Sequence, residues 1–262
     1  MRKYAALLIS ALLVCLTAGT SAAADAPPRP ELAQAAQQAA PDTTMGIMVF
    51  DMDSGRQLVN LNRDQQFKTE SVVKLMIALD DLDRHGTADS GEIQEMLSRS
   101  DDNVADQLWV ADGETSIVTD IAARALMTNT VPPADPGWWG NTLTTPTDLS
   151  ALYQYILLGI PQADRDVILP ALAGITPTAA DGTDQTFGFP DAAQADGETY
   201  AVKQGWAVDD AGVDHLNSTG LLGDRHQYIV ALLTSQNSKG MAADSAEVTA
   251  AAKVLMQAIP GN

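Results

Sequence analysis

Cysteine is almost missing from this chain. Of its 262 residues only Cys15 is one. No disulfide can form within a single chain, and beyond residue 15 neither thiolate catalysis nor a cysteine-based metal site is available. Basic residues are scarce too, 15 against 34 acidic, for a net charge of -19. Such a surface repels nucleic acid and anionic lipid, which removes both as partners. The three histidines, His85, His215 and His226, are scattered and meet no metal-ligand spacing, so neither a metal nor another cofactor is expected. The apolar run from Ala5 to Leu16 is too short to span a bilayer. No G-x-S-x-G is present, which disfavours a hydrolase built on a nucleophile elbow.

What remains reads as a globular protein, 45% hydrophobic and 19% charged. Met1-Arg2-Lys3, the apolar run and Ser21-Ala22-Ala23-Ala24 have the form of a secretory signal peptide over residues 1–24. A secreted, extracytoplasmic location is therefore expected. Val14 precedes Cys15 where lipid attachment calls for a small residue, which speaks against a lipid anchor there. Residues 25–43, rich in Ala, Pro and Gln, read as a tether with a short helix over 30–40. Residues 44–262 remain for one domain, expected to be monomeric.

"TTMGIMVFDMDSGRQLVNLN" alternates apolar and polar residues on both sides of Asp53-Ser54-Gly55, which predicts a β-hairpin. Ser71 to Arg84 is apolar nearly all round and predicts a buried central helix. Further helices are expected over 90–99, 103–111, 116–127, 146–158 and 162–172. After a Gly- and Asp-rich stretch over 179–197, strands are expected over 199–208, 215–222 and 227–235, then a helix over 244–259. Strands at both chain ends with helices between imply an α/β chain of the α+β type. One antiparallel sheet draws on both ends, and a helical lobe meets it along a cleft.

Within "FKTESVVKLMIAL", Ser71 and Lys74 stand three residues apart at the start of the central helix, close enough to touch. A serine hydroxyl is a poor nucleophile without a base in contact, and a lysine serves if burial lowers its pKa. A Ser three before a Lys arises about once by chance in a chain this long, so the context decides. That context is "MLSRSDDNVADQLW", "NTLTTPTDLSALYQYIL" and "VKQGW".

In the order S-x-x-K, S-D-N-like, K-T-G-like, these elements resemble the class A serine β-lactamases and the wider penicillin-recognising acyl-serine enzymes. The resemblance covers about Thr44 to Ile259 and implies the β-lactamase/penicillin-binding-protein-like fold. It implies Ser71 as the acylated nucleophile, Lys74 as its proton acceptor and Ser100 as a relay to the leaving nitrogen. Asp102, Lys203, Gln204, Gly205 and Trp206 would face substrate, with the N–H groups of Ser71 and Trp206 as the oxyanion hole. The implied substrate is a β-lactam, a D-Ala-type peptide or a similar peptidoglycan-like amide.

The departures are specific. Asp102 stands where the family has Asn, and Gln204 where it has Thr. The stretch from Lys74 to Ser100 is about half the usual length, so the helical lobe is trimmed. The Glu-x-x-Leu-Asn loop that activates the deacylating water is missing from "LMTNTVPPADPGWWGNTLTTP", whose one carboxylate, Asp135, reads as a turn residue. Slow deacylation is therefore expected. Two other readings stay open: an esterase or amidase acting on another small substrate, and a catalytically silent binding protein that keeps the fold.

Overall fold

The computed structural model describes residues 28–259. The expected signal peptide and Cys15 lie outside them, as do the first residues of the tether. The hairpin forms as β1 (Thr44–Asp51) and β2 (Arg56–Leu61). Its turn is held by Asp51, whose Oδ1 and Oδ2 accept from Asp53 N (2.9 Å) and Ser54 Oγ (2.7 Å). The C-terminal strands are β5 (Tyr200–Val208), β6 (Val213–Leu222) and β7 (Tyr228–Asn237). β7 pairs with β1 from Thr44↔Ser235 to Asp51↔Tyr228, which closes one antiparallel sheet of order β2-β1-β7-β6-β5. The two chain ends thus meet as expected.

Both faces of this sheet are covered, and the period of two along each strand sorts side chains between them. On β7, Ile229, Ala231 and Leu233 join the core of the helical lobe. Val230 and Leu232 alternate with them and pack into a second core. Three helices cover that second face: α1 (Pro30–Ala39), α8 (Phe189–Asp196) and α9 (Met241–Met256). The short N-terminal helix buries Leu32, Ala33 and Ala36 in this layer.

The other face carries α2 (Lys74–His85), α3 (Ser90–Ser98), α4 (Asp102–Asp112), α5 (Thr115–Arg124), α6 (Pro146–Leu158) and α7 (Gln162–Ala173). A two-stranded ribbon, β3 (Phe67–Lys68) with β4 (Leu143–Thr144), ties the entry of α2 to the entry of α6. α2 is the buried helix expected from its all-round apolar surface: every residue from Lys74 to Leu82 is buried. Helix α8 lies within the Gly- and Asp-rich stretch over 179–197, to which the sequence reading assigns no element. Its signals are present but short. Gly188 (φ +78°) precedes it, Pro190 sits in its first turn and Gly197 (φ +73°) ends it.

Candidate active site

Ser71 does not sit on α2 itself. It lies in a single 3-10 turn, Glu70–Val73, that leads into α2. This turn is pinned from two sides. Asn217 of β6 donates its amide to Lys68 O (2.9 Å) and Thr69 O (3.1 Å), and Thr69 N donates to Thr142 O (2.8 Å). Gly205 of β5 presses on the same turn: a Cβ there would lie 2.6 Å from Thr69 O and 3.1 Å from Ser71 N. Glycine alone allows this approach of two backbones.

Lys74, fully buried at 0% exposure, gathers the cluster. Its Nζ lies 2.9 Å from Ser71 Oγ, 2.8 Å from Ser100 O, 3.2 Å from Ser100 Oγ and 2.5 Å from Asp102 Oδ1. Lys203 Nζ, also buried, donates to Ser100 Oγ at 2.8 Å and to Gln204 O at 2.9 Å. Ser100 Oγ thus receives two lysines on its two lone pairs, which leaves its own proton for a third group. Its backbone has φ +54°, a strained conformation for a non-glycine residue. Ser100 is not the helix cap: Asp101 caps α4, accepting from Asn103 N (2.8 Å) and Val104 N (3.3 Å).

Burial pushes the Lys74 amine below its usual range, and Asp102 opposes the shift. Burial pushes Lys203 well below its range, and repulsion from Lys74 adds to the effect. Two lysines sharing one hydroxyl cannot both hold a proton cheaply.

The cleft above these groups has a volume of about 330 Å³ and is lined by Ser71, Asp102, Trp139, Trp206 and Glu70, among others. The Trp139 ring centroid lies 4.9 Å from Lys74 Nζ, and its Nε1 is held by Asp106 Oδ1 at 2.8 Å. Trp206 stands opposite, its Nε1 on Asp181 Oδ2 at 3.1 Å. Gln204, expected to face substrate, does not line the cleft. It is buried, with its amide donating to Phe187 O and, at 3.0 Å, to Ser218 Oγ. Lys203 and Gln204 leave β5 on opposite sides, and Trp206, on the same side as Gln204, does line the cleft. Asp135 also stays outside the cleft and accepts from Gly137 N at 3.0 Å in an exposed turn.

The sequence reading passed over Glu70. It precedes the serine, has φ +46° and is buried against Gly140, where a Cβ would fall 2.9 Å from its Oε2. Burial pushes its carboxyl up to about 7; Lys68 opposes this while Asp209 and Asp214 reinforce it. The available signal was a carboxylate directly before the candidate nucleophile.

No protein-family model matches the chain. Among curated proteins it is 38% identical over 212 residues to "Putative lipoprotein LppW" of Mycobacterium tuberculosis and of Mycobacterium bovis, an alignment covering 76% of this chain. The chain spans 66% of the length of these relatives. Among solved structures it is similar to a class A β-lactamase from Bacteroides cellulosilyticus (TM-score 0.73, 14% identity, 88% of this chain and 98% of that one). A class A β-lactamase from Mycobacterium abscessus superposes with a TM-score of 0.71 at 19% identity, covering 87% and 97%. PBP-A does so with a TM-score of 0.68 at 21% identity, covering 89% and 98%. The sheet closed from both chain ends and the helical lobe packed on it are therefore those of the fold shared by the class A β-lactamases and PBP-A.

Proposed function

We propose that this protein is an extracytoplasmic acyl-serine hydrolase, acting as a monomer on β-lactams or D-Ala-type peptide amides. The observation that carries the reading is the hydrogen-bonded chain of Ser71, Lys74, Ser100 and Lys203, whose Ser71 end lines the cleft. Neutral Lys74 takes the Ser71 proton as Oγ attacks the substrate carbonyl. The N–H groups of Ser71 and Trp206 receive the developing oxyanion. The tetrahedral intermediate then expels the amide nitrogen, which takes a proton from Ser100, and Ser100 regains one from Lys74. A Ser71 ester remains. Water must then attack that ester, and within the cleft Glu70 is the carboxyl group beside the nucleophile to activate it. The mycobacterial relatives' lipoprotein name supports the extracytoplasmic placement.

A binding protein without turnover has one observation in its favour. Asp102 gives the Lys74 ammonium a carboxylate partner at 2.5 Å, and a lysine held charged is no base. Intact-mass spectrometry after incubation with a penicillin, and separately with a fluorophosphonate, decides between the readings. An adduct that disappears in Ser71→Ala supports the hydrolase. An adduct with the fluorophosphonate alone points to an esterase on another substrate. No adduct with either leaves the binder.

A further inference from the structure

At the far end of α2 from Lys74 lies a second cluster, about 16 Å along the helix by the rise per residue. Asp81 and His85 stand four apart on one face of α2, and Asp112, the last residue of α4, faces them. One oxygen from each carboxylate and a ring nitrogen of His85 all lie within 4.8 Å of one another. The carboxylates are deeply buried: Asp81 is 1% exposed and Asp112 4%. His85 Nε2 stands 3.0 Å from Asp112 Oδ1. Asp81 Oδ1 and Asp112 Oδ2 are buried with no hydrogen-bond partner among the described residues.

The only cationic group in contact with this carboxylate pair among the described residues is the His85 imidazole, through Asp112 Oδ1. The nearby Arg84 is held by Asp80 Oδ2 at 2.5 Å and by Asp120 at 3.8 Å. Among the described residues no lysine or arginine pairs with Asp81 or Asp112, and Asp89 adds further negative potential. Native folds rarely leave buried carboxylate oxygens unsatisfied, and each such group asks for an explanation.

The geometry points to a divalent transition-metal site formed by Asp81, His85 and Asp112, with Zn²⁺ as the best-matched ion. Two carboxylate oxygens and one imidazole nitrogen are a mixed O/N donor set, which suits Zn²⁺ better than Ca²⁺ or Mg²⁺, whose ligands are all oxygen. Metal–ligand bonds of about 2.0–2.2 Å set tetrahedral donors about 3.4 Å apart, so the widest pair, within 4.8 Å, closes by up to about 1.4 Å, while His85 Nε2 and Asp112 Oδ1 open slightly from 3.0 Å. His85 is half-exposed, so the ion has a path in and a fourth position open to water. A histidine spacing rule misses this site because it has one histidine, and its third ligand comes from another helix.

The placement suggests a mechanical role. α2 and α4 run side by side in the same direction, joined at one end by Lys74–Asp102 and at the other by His85–Asp112. A metal bound there would lock the far end of the helix pair whose near end carries the proposed base. The site does not depend on the hydrolase reading.

The test uses the tag-free full chain, stripped with EDTA, in calorimetric titrations with Zn²⁺, Ca²⁺ and Mg²⁺, each paired with a thermal melt. One Zn²⁺ per chain and a raised Tm are expected, with Ca²⁺ and Mg²⁺ far weaker. His85→Gln, at a half-exposed position that tolerates change, and Asp112→Asn should each weaken Zn²⁺ binding at least ~10²-fold, since even outer-shell losses cost 10–100-fold. Zn²⁺ binding to His85→Gln as tight as to the wild type would mean scattered surface carboxylates, and the site falls. It falls equally if the wild type binds no Zn²⁺, or if Ca²⁺ binds as tightly as Zn²⁺.

Discussion

Asp102 Oδ1 sits 2.5 Å from Lys74 Nζ, so a carboxylate that is 59% exposed partners an ammonium that is fully buried. The pair sets the protonation of the proposed base. Burial favours the neutral amine, and Asp102 pulls toward the charged form. In Asp102→Asn the amide still accepts a hydrogen bond but carries no charge, so the Lys74 pKa should fall. Acylation of Ser71 at neutral pH should rise about tenfold for each unit of that fall, and its pH profile should move to lower pH. An amide would also donate to a substrate carbonyl that the carboxylate repels. Stopped-flow acylation by a penicillin across pH checks both effects. An unmoved profile with an unchanged rate would mean that Asp102 neither tunes Lys74 nor meets substrate.

Gly205 offers a test of the backbone contact under the nucleophile. A Cβ there meets two main-chain atoms, Thr69 O at 2.6 Å and Ser71 N at 3.1 Å. Main chain pinned by Asn217 cannot step aside as a side chain can. Gly205→Ala should lower stability by about 1–3 kcal/mol, the usual cost of overpacking. It should also cut Ser71 labelling by ~10²-fold, because an ångström of misplacement has that effect. Gly140→Ala is the contrast: its Cβ would meet the flexible end of Glu70 at 2.9 Å. Fluorophosphonate labelling together with thermal melts of both variants separates them, and equal labelling would count against the role given to Gly205.

Much of this was legible in the sequence wherever periodicity or spacing was strong. The hairpin, the all-apolar α2 and the three C-terminal strands carry their own patterns, and Ser71, Lys74, Ser100 and Lys203 do converge. What escaped has local causes. Helix α8 is only eight residues long, too few turns for a period to emerge. Gln204 shares a motif with Lys203, but its side chain is taken up by Phe187 O and Ser218 Oγ. Glu70 stands in a polar turn, Lys68-Thr69-Glu70-Ser71, and Asp81 in an acidic run with Asp80 and Asp83, where nothing in the sequence marks either one out. Only the fold shows what they face.

A second buried carboxylate pair predicts how stability varies with pH. Asp214 of β6 and Asp244 of α9 are both buried, and burial together with Asp244 holds the Asp214 carboxyl well above the usual range. A carboxyl whose folded pKa is raised binds more protons in the folded than in the unfolded chain, so stability falls as pH rises. The loss should begin near the ordinary carboxylate range of about 4 and be complete above the raised folded value. Asp214→Asn keeps the shape without the charge and should flatten this part of the Tm–pH curve, raising Tm most at neutral pH. A variant curve parallel to the wild type would show that the pair does not titrate there.

The last prediction concerns the second half of the proposed reaction. Hydrolysis needs the Ser71 ester to be attacked by an activated water, and a missing general base costs roughly 10²–10⁴-fold in the step it serves. The segment before β4 places Trp138, Trp139 and Gly140 along the cleft, and its carboxylate, Asp135, stays outside. Glu70 lines the cleft beside Ser71, but its carboxyl is pushed up to about 7. Only the ionised form can take a proton from water, so about half of the molecules carry a competent base at pH 7 and about one in a hundred at pH 5. With enzyme near substrate concentration, a chromogenic cephalosporin should give a burst of one product per enzyme, then slow turnover. The burst should keep its size across this range while turnover climbs with pH and levels off above about 7. In Glu70→Gln the burst should remain and the pH-dependent climb should vanish, because the amide cannot accept the proton. A burst with the same climb in Glu70→Gln would move the role to another group, Lys74 in its neutral form being next in reach. Fast turnover without any burst would mean that deacylation is not the slow step.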